Sequence, residues 1–221
     1  MGSITLEDVR KNEEVKIFLE IAERQMEALS YTEHSFRHVG LVSATAGNIL
    51  KALEYPEREV ELAKIAGYLH DIGNAVNRVD HAHSGAVLAY NILTKMGMEP
   101  REAAEIMLAI GNHDEGSGTA VSSISAALIL ADKSDVHRSR VKNRDFATFD
   151  IHDRVNYAVE KSFITIDKHK KTALLELNID TRICPVIDYF EIFLARMTMN
   201  RRAADYLGLN FRLVINGSYL L

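Results

Sequence analysis

The chain has 221 residues, of which 47% are hydrophobic and 26% are charged, a composition typical of a globular domain with an apolar core. The net charge of −5 provides no basic field that would attract a nucleic-acid polymer or an anionic membrane. No apolar run is long enough to cross a bilayer, and the first residues lack the apolar centre of a signal peptide. Cys184 is the single cysteine, which excludes an internal disulfide and leads us to expect a cytoplasmic protein.

Helical periodicity dominates the first two thirds of the sequence. Apolar residues recur at intervals of three and four positions, the spacing of one face of a helix. Pro56 and Pro100 each suit the first turn of a helix, and the polar segments 74–80 and 113–118 suit loops. The pattern predicts six helices, over about residues 6–29, 35–53, 56–72, 84–96, 100–112 and 121–133.

The pattern changes after Arg144. A predicted short helix over about residues 151–160 precedes three strand-like runs and one long helix. The runs cover residues 163–166, 172–179 and 210–215, and the long helix covers about residues 185–207. The sequence thus predicts a mainly α fold, with a helical domain over residues 1–144 and a small α+β appendage over residues 145–221. Three strands leave an open sheet edge, from which we hypothesise a homodimer with the appendage at its interface.

Histidines and aspartates stand at the ends of several predicted helices. His70 and Asp71 close the third helix side by side, just before Gly73. Because an unpaired buried aspartate is costly, this pair favours a metal site. Further candidate ligands occupy comparable places in other helices: His38, His83, His113 and Asp132. Such a donor set suits transition metals better than Ca²⁺, and two divalent ions bridged by Asp71 would turn a water into hydroxide.

At these residues the chain resembles the HD-domain metal-dependent phosphohydrolases. The resemblance covers about residues 34 to 138 and rests on ordered motifs: His38-Val39-Gly40-Leu41-Val42, Leu69-His70-Asp71-Ile72-Gly73, His83-Ser84-Gly85-Ala86, Ile110-Gly111-Asn112-His113 and Leu130-Ala131-Asp132. It implies an HD-type helical bundle. It also implies four ligands shared across the superfamily, namely His38, His70, Asp71 and Asp132. Two-metal members have two more, which would be His83 and His113.

Two subgroups of that superfamily share further features with the chain. The segment from Asp132 to Arg138 resembles diadenosine tetraphosphate hydrolases, which place an acidic residue and an arginine where this chain has Asp135 and Arg138. The segment 112–116 is similar to cyclic-di-GMP phosphodiesterases. The Gly-Tyr-Pro motif of that subgroup is absent, because Gly118 is followed by Thr119 and Ala120. The appendage matches neither subgroup.

Several residues near the candidate ligands have chemistry that catalysis could use. We expect Asp71, Asp114 and Lys133 to take part in catalysis. Asp114 and Glu115 are candidates to orient the water or accept its proton, and a polar loop would show the same residue types. Lys133 and Arg138 are expected to hold a substrate phosphate.

Other polar residues are open to a plainer interpretation. His34 stands one helical turn before His38 and is a candidate substrate contact, although a surface position fits equally well. His81 is expected to be solvated or to support another ligand. The later basic residues Arg140, Lys142 and Arg144 are expected to form a solvated connector to the appendage.

The sequence therefore predicts a cytoplasmic metal-dependent phosphohydrolase with two divalent ions (Fe, Mn, Co, Ni, Zn or Mg). It would cleave a phosphoester or phosphoanhydride in a small phosphorylated substrate, with a nucleotide as the favoured class. Three alternatives stay open: a regulatory module that binds a nucleotide without turnover, a cyclic-dinucleotide phosphodiesterase, and a helical protein held together by one structural metal.

Overall fold

The computed structural model describes residues 3–29, 36–143 and 145–220 and confirms a mainly helical fold with a small sheet near the C-terminus. The helices of the described residues are α1 Leu6–Lys11, α2 Glu13–Ala28, α3 Phe36–Ala52, α4 Glu57–Leu69, α5 His81–Lys95, α6 Pro100–Gly111, α7 Ser123–Ser134, α8 Ile151–Ala158 and α9 Val186–Tyr206. The strands are β1 Val159–Asp167, β2 Thr172–Ile179, β3 Asn210–Ile215 and β4 Ser218–Tyr219.

The first predicted helix is in fact two helices. Asn12 has an extended backbone with ψ 122°, so it ends α1 and begins α2. Its side chain accepts a hydrogen bond from the backbone N–H of Val15 at 3.1 Å, the usual role of an asparagine at the N-terminus of a helix. The apolar periodicity continues through this break, which is why periodicity alone predicts a single helix.

Helices α3, α4 and α7 form the centre of the bundle. They pack against each other, and nearly every residue of α4 from Leu62 onward is buried. The α3–α4 contact is close because Gly67 has no side chain: a Cβ there would lie 2.8 Å from the Cα of Ser43. The Ser43 hydroxyl also donates to the carbonyl of Lys64 at 2.7 Å. This contact fixes the start of α3 next to the end of α4.

The sheet near the C-terminus has the order β1-β2-β3-β4. Strands β1 and β2 pair antiparallel, β2 and β3 pair parallel through the α9 crossover, and β3 and β4 form a short antiparallel pair. The sequence predicted the first three strands and not β4. Helix α9 packs against α7, so this segment contacts the bundle. The division into two domains at residue 144 stays a prediction. None of the helices that the structure describes is both long and apolar enough to span a membrane.

Candidate metal centre

Six side chains from separate parts of the bundle meet at one place. Their potential ligand atoms form three overlapping groups, each with all atoms within 4.8 Å of one another: His38, His70 and Asp71; His70, His113 and Asp132; Asp71, His81 and His113. All of these residues are buried except Asp132, which is partly buried. The convergence expected from the sequence is thus present for five of the predicted ligands, with His81 as the sixth member.

Asp71 lies between the groups and presents one oxygen to each side. Its Oδ2 lies 3.3 Å from Nε2 of His70 and 3.6 Å from Nε2 of His38. Its Oδ1 lies 3.5 Å from Nε2 of His81. The amide of Asn74 donates to Oδ1 at 2.9 Å and holds the carboxylate in this orientation. A carboxylate with oxygens facing two sets of imidazoles is suited to contact two cations.

The hydrogen bonds of Nδ1, the ring nitrogen that faces away from the cluster, set the tautomer of each of its four histidines. Each Nδ1 lies within hydrogen-bond distance of an oxygen. Nδ1 of His38 lies 2.7 Å from Oδ2 of Asp135. The other three contact backbone carbonyls: His70 that of Gly67 at 2.8 Å, His81 that of Arg78 at 3.1 Å and His113 that of Ile110 at 2.7 Å. A carbonyl or ionised carboxylate oxygen can only accept, so Nδ1 carries the hydrogen. A ring that carries no second proton therefore presents its Nε2 lone pair to the centre, as metal-ligating histidines do.

Two of these lone pairs face each other. Nε2 of His81 lies 3.3 Å from Nε2 of His113, and two acceptors at that distance repel unless a proton or a cation stands between or beside them. Arg78 donates to the same His81 nitrogen at 3.2 Å, a hydrogen bond that a metal ion would replace. Imidazole nitrogens with two carboxylates form a donor set that suits Fe, Mn, Co, Ni or Zn. The residues present therefore fit divalent metals.

The electrostatics of the cluster also favour a bound positive charge. Burial by itself would lower the pKa of His70, but the charges of Asp71 and Asp132 outweigh it and raise that pKa to about 10. Burial, together with the nearby His70, lowers the pKa of His113 to about 3. Although burial opposes ionisation of Asp132, the adjacent Lys133 holds the pKa of Asp132 well below its usual range. Without metal, a proton on His70 thus supplies charge that a cation would otherwise provide.

The structure corrects the expectation that His83 belongs to this centre. The sequence predicted a helix from about residue 84, with His81 in the preceding loop. The helix α5 begins at His81 instead, directly after Asp80 in a left-handed conformation with φ 58°. Residues two apart on a helix point about 200° from each other. His81 therefore faces the cluster and is 4% exposed, while the side chain of His83 is 58% exposed and lies 3.7 Å from Asp80.

A small cavity opens beside the cluster, and all of its lining side chains are polar or charged: Asp71, Arg78, His81, His113, Asp114, Glu115, Asp132, Lys133, Arg140 and Arg196. Asp114 and Lys133, two residues with expected roles in catalysis, are thus both part of the cavity wall. The volume is about 10 Å³, room for about one water molecule. Lys133 is almost fully buried and donates to Asp132 Oδ2 at 2.6 Å. Burial opposes ionisation of Glu115, but Lys133 and Arg196 lower its pKa to about 2.

The cationic residues of the cavity differ from those expected. Arg138 is not among the lining residues: it donates to Glu160 at 3.1 Å, lies over the ring of Tyr157 and is 37% exposed. Arg140, expected to be solvated, is buried and donates to the backbone carbonyl of Asp135 at 2.7 Å. The two arginines are at opposite ends of a short 3-10 turn, which directs their side chains differently.

Two further cavity residues, Arg78 and Arg196, were not singled out from the sequence. Arg78 precedes His81 by three positions, and Arg196 comes from α9, far along the chain. The cations that the sequence led us to expect at a phosphate, Lys133 and Arg138, both follow Asp132 closely in the chain, whereas Arg78 and Arg196 lie far from that segment. His34, a candidate substrate contact, lies outside the described residues.

Comparisons with known proteins found a matching family model, a relative and a solved structure. A family model described as "HD domain" matches residues 31–190, well over half of the chain. An uncharacterized protein of Methanocaldococcus jannaschii is 28% identical over 157 residues, which cover 61% of this chain and 60% of the relative. The chain thus spans less than two thirds of that relative's length. The crystal structure of a predicted HD superfamily hydrolase from an uncultured Thermotogales bacterium has 26% sequence identity and a TM-score of 0.44, with 61% of this chain and 75% of that one covered.

Proposed function

The chain belongs to the HD-domain family, and from this premise we propose that it is a metal-dependent hydrolase, namely a two-metal phosphohydrolase acting on a nucleotide. The observation that carries the two-metal proposal is the position of Asp71. Its two oxygens face different histidines, His38 and His70 on one side and His81 on the other. One oxygen for each cation is what a bridging carboxylate requires.

The ligands divide between the two proposed ions along the two groups that contain Asp71, and Asp132 joins the first because its Oδ1 faces His38 and His70. One ion would be held by His38, His70, Asp71 and Asp132, and the other by Asp71, His81 and His113. Asp135 accepts from Nδ1 of His38 at 2.7 Å and so orients that imidazole. When bound, divalent ions supply a Lewis acid for a phosphoryl oxygen and lower the pKa of water.

The other cavity residues have roles in proton transfer and in charge stabilisation. Asp114 lines the cavity next to His81 and His113, so it can accept the proton that water loses as its oxygen forms a bond to phosphorus. Lys133 is held between Asp132 and Glu115 and can neutralise the oxygen that leaves with the departing group. Arg140 is buried on the cavity wall and adds positive charge there.

The charge of the cavity favours an anionic substrate. Arg78, Lys133, Arg140 and Arg196 line it together with four carboxylates, so two divalent cations would leave an excess of positive charge. Phosphoryl oxygens are the natural partners of such a wall, because guanidinium groups bind them in a bidentate manner.

A second, larger cavity beside the first has room for an organic group of the substrate. Its volume is about 390 Å³, and it shares Arg78, His81 and Asp114 with the inner cavity. It lies between the segment 78–81 and the segment 114–117. A space of that size is at the lower end of the range for small-molecule sites. We therefore propose a nucleoside in this outer cavity with its phosphates directed to the metal centre.

The test is a hydrolysis screen of the full chain with each of Mn, Fe, Co, Ni, Zn and Mg. Substrates are nucleoside mono-, di- and triphosphates, diadenosine tetraphosphate, a cyclic dinucleotide and p-nitrophenyl phosphate. We expect metal-dependent release of phosphate from a nucleotide, and its loss in Asp71→Ala with an unchanged circular dichroism spectrum. Cleavage of the cyclic dinucleotide alone would identify a phosphodiesterase instead. Nucleotide binding without turnover under every metal would contradict the enzyme and support a regulatory module.

A further inference from the structure

Two cationic side chains beside the metal centre, the buried Lys133 and the partly buried Arg196, share one carboxylate oxygen. Oε1 of Glu115 lies 2.7 Å from Nε of Arg196 and 3.4 Å from Nζ of Lys133. The side chains of Lys133, Glu115 and Arg196 are only 3%, 20% and 23% exposed. The Arg196 guanidinium also stacks over the ring of Phe193, with its carbon 4.6 Å from the ring centroid, which fixes its position on α9.

The Glu115 carboxylate pairs with these two cations through charge and not through hydrogen bonds. Oε1 of Glu115 is buried, and within the part of the chain that the structure describes no donor reaches it with hydrogen-bond geometry. A buried acceptor in this condition costs free energy. A phosphate has more oxygens and a rounder distribution of acceptors, so it can meet an ammonium and a guanidinium at the same time.

The space between Lys133 and Arg196 lies directly beside the metal ligands. Lys133 donates to Oδ2 of Asp132, and Oδ1 of the same carboxylate faces His38 and His70 at 3.4 and 3.6 Å. The inner cavity, at about 10 Å³, has room for roughly one water and not for a phosphate. An anion can therefore enter between Lys133 and Arg196 only if the Glu115 carboxylate moves out.

We propose that Lys133 and Arg196 form a binding site for a second phosphate group of the substrate, which the Glu115 carboxylate occupies until the substrate displaces it. The inference rests on the proposed function and narrows its substrate class to molecules with two or more consecutive phosphates, one at the metal centre and the next between these cations. It also gives the C-terminal segment a function, since α9 supplies a specificity-determining residue to the site.

Calorimetric titration of the manganese-loaded chain with methylenediphosphonate, a non-hydrolysable analogue used here as the diphosphate, and with inorganic phosphate tests the proposal without turnover. The readout is the ratio of the two affinities. We expect the wild type to favour diphosphate, and Arg196→Gln to reduce that preference about tenfold, as expected for the loss of one charge-assisted contact. Arg196→Lys should retain part of it. Arg202→Gln is the matched control, because Arg202 is exposed on the same helix and should keep the wild-type ratio.

Glu115→Gln is expected to change the affinity for diphosphate in the opposite direction to Arg196→Gln. It removes the resident negative charge, so we expect tighter binding of diphosphate than in the wild type. A purely structural role for Glu115 predicts weaker binding, as in Arg196→Gln, and that result would overturn the proposal. An unchanged affinity ratio in Arg196→Gln would overturn it as well.

The two proposals fail in distinguishable ways. If the chain hydrolyses phosphoesters but shows no preference for diphosphate, the second-phosphate site is wrong and the hydrolase stands. If diphosphate binding follows the expected pattern and no substrate is turned over, the site stands and the catalytic proposal is wrong. Circular dichroism and metal content of each variant separate both results from misfolding.

Discussion

His81 and His83 are separated by one residue, yet only one of them lies at the metal centre. The position of the helix start decides between them, because α5 begins at His81 and residues two apart point in nearly opposite directions. Sequence patterns place helix boundaries only to within a few residues. The histidine motif was therefore visible from the sequence, while the choice of ligand within it was not.

Replacement of each histidine by alanine should separate their roles. We expect His81→Ala to bind about one metal ion fewer per chain, because His81 belongs to only one of the two proposed ligand sets, and to lose most turnover. His83→Ala should keep wild-type metal content and activity, because its side chain is largely exposed. Elemental analysis and a phosphate-release assay measure both quantities. The opposite pattern would restore His83 as the ligand.

At the scale of elements, the contact between the turn Ile72–Ala75 and α5 holds the two halves of the centre together. A Cβ on Gly73 would lie 1.9 Å from the carbonyl oxygen of His81 and 2.5 Å from the backbone N–H nitrogen of Gly85. Neither backbone atom can move without shifting α5. The glycine after the His70-Asp71 pair is thus required for a close approach that brings His81 to Asp71.

Gly73→Ala should therefore destabilise the fold and disturb the centre. We expect a loss of about 1–3 kcal/mol or more in the free energy of unfolding, the range for forced overpacking, together with reduced metal content. Gly40→Ala is the matched control, because among the described residues no atom outside the local backbone of α3 lies within 4 Å of a Cβ at that position. Alanine in place of glycine within a helix should raise the free energy of unfolding by roughly 0.5–1 kcal/mol. Urea denaturation of both variants measures the difference. Equal stability of Gly73→Ala and the wild type would contradict the close approach.

The elements themselves were largely predictable because their signals are local. Strands β2 and β3 have the predicted bounds, Thr172–Ile179 and Asn210–Ile215, since alternating apolar residues and flanking turns mark their ends. The break at Asn12 was missed, because the apolar face of α1 continues in register into α2. The two-residue strand β4 was missed because it is too short to show a period of two.

At the scale of the whole molecule, the sequence predicted the order of the ligands and the nearby Lys133, but not the arginines around them. Arg196 reaches the cavity because α9 packs on α7, and no spacing within the sequence reports such a tertiary contact. The sequence led us to expect Arg138 at the substrate and Arg140 in a solvated connector, but the turn after α7 places Arg140 at the cavity and Arg138 outside it. The parts of the site that come from distant segments therefore need the structure.

Association of two chains is the prediction that concerns the surface of the molecule. Among the described strands, β1 is an edge of the sheet and pairs only with β2, and a nine-residue edge strand invites pairing with another chain. We expect multi-angle light scattering to give the mass of two chains of 24.8 kDa each at micromolar concentration. A monomer mass at that concentration and above would contradict a homodimer.

The central claim is that two metal ions bridged by Asp71 make this chain a phosphohydrolase. A titration of chelator-stripped protein with Mn²⁺, with the rate of p-nitrophenyl phosphate hydrolysis as the readout, tests it most directly. The six-residue cluster predicts negligible hydrolysis without metal and a rate that reaches its maximum at about two equivalents per chain, the number of ions that a binuclear site holds. A rate that is complete at one equivalent, or that does not depend on metal, would contradict the claim.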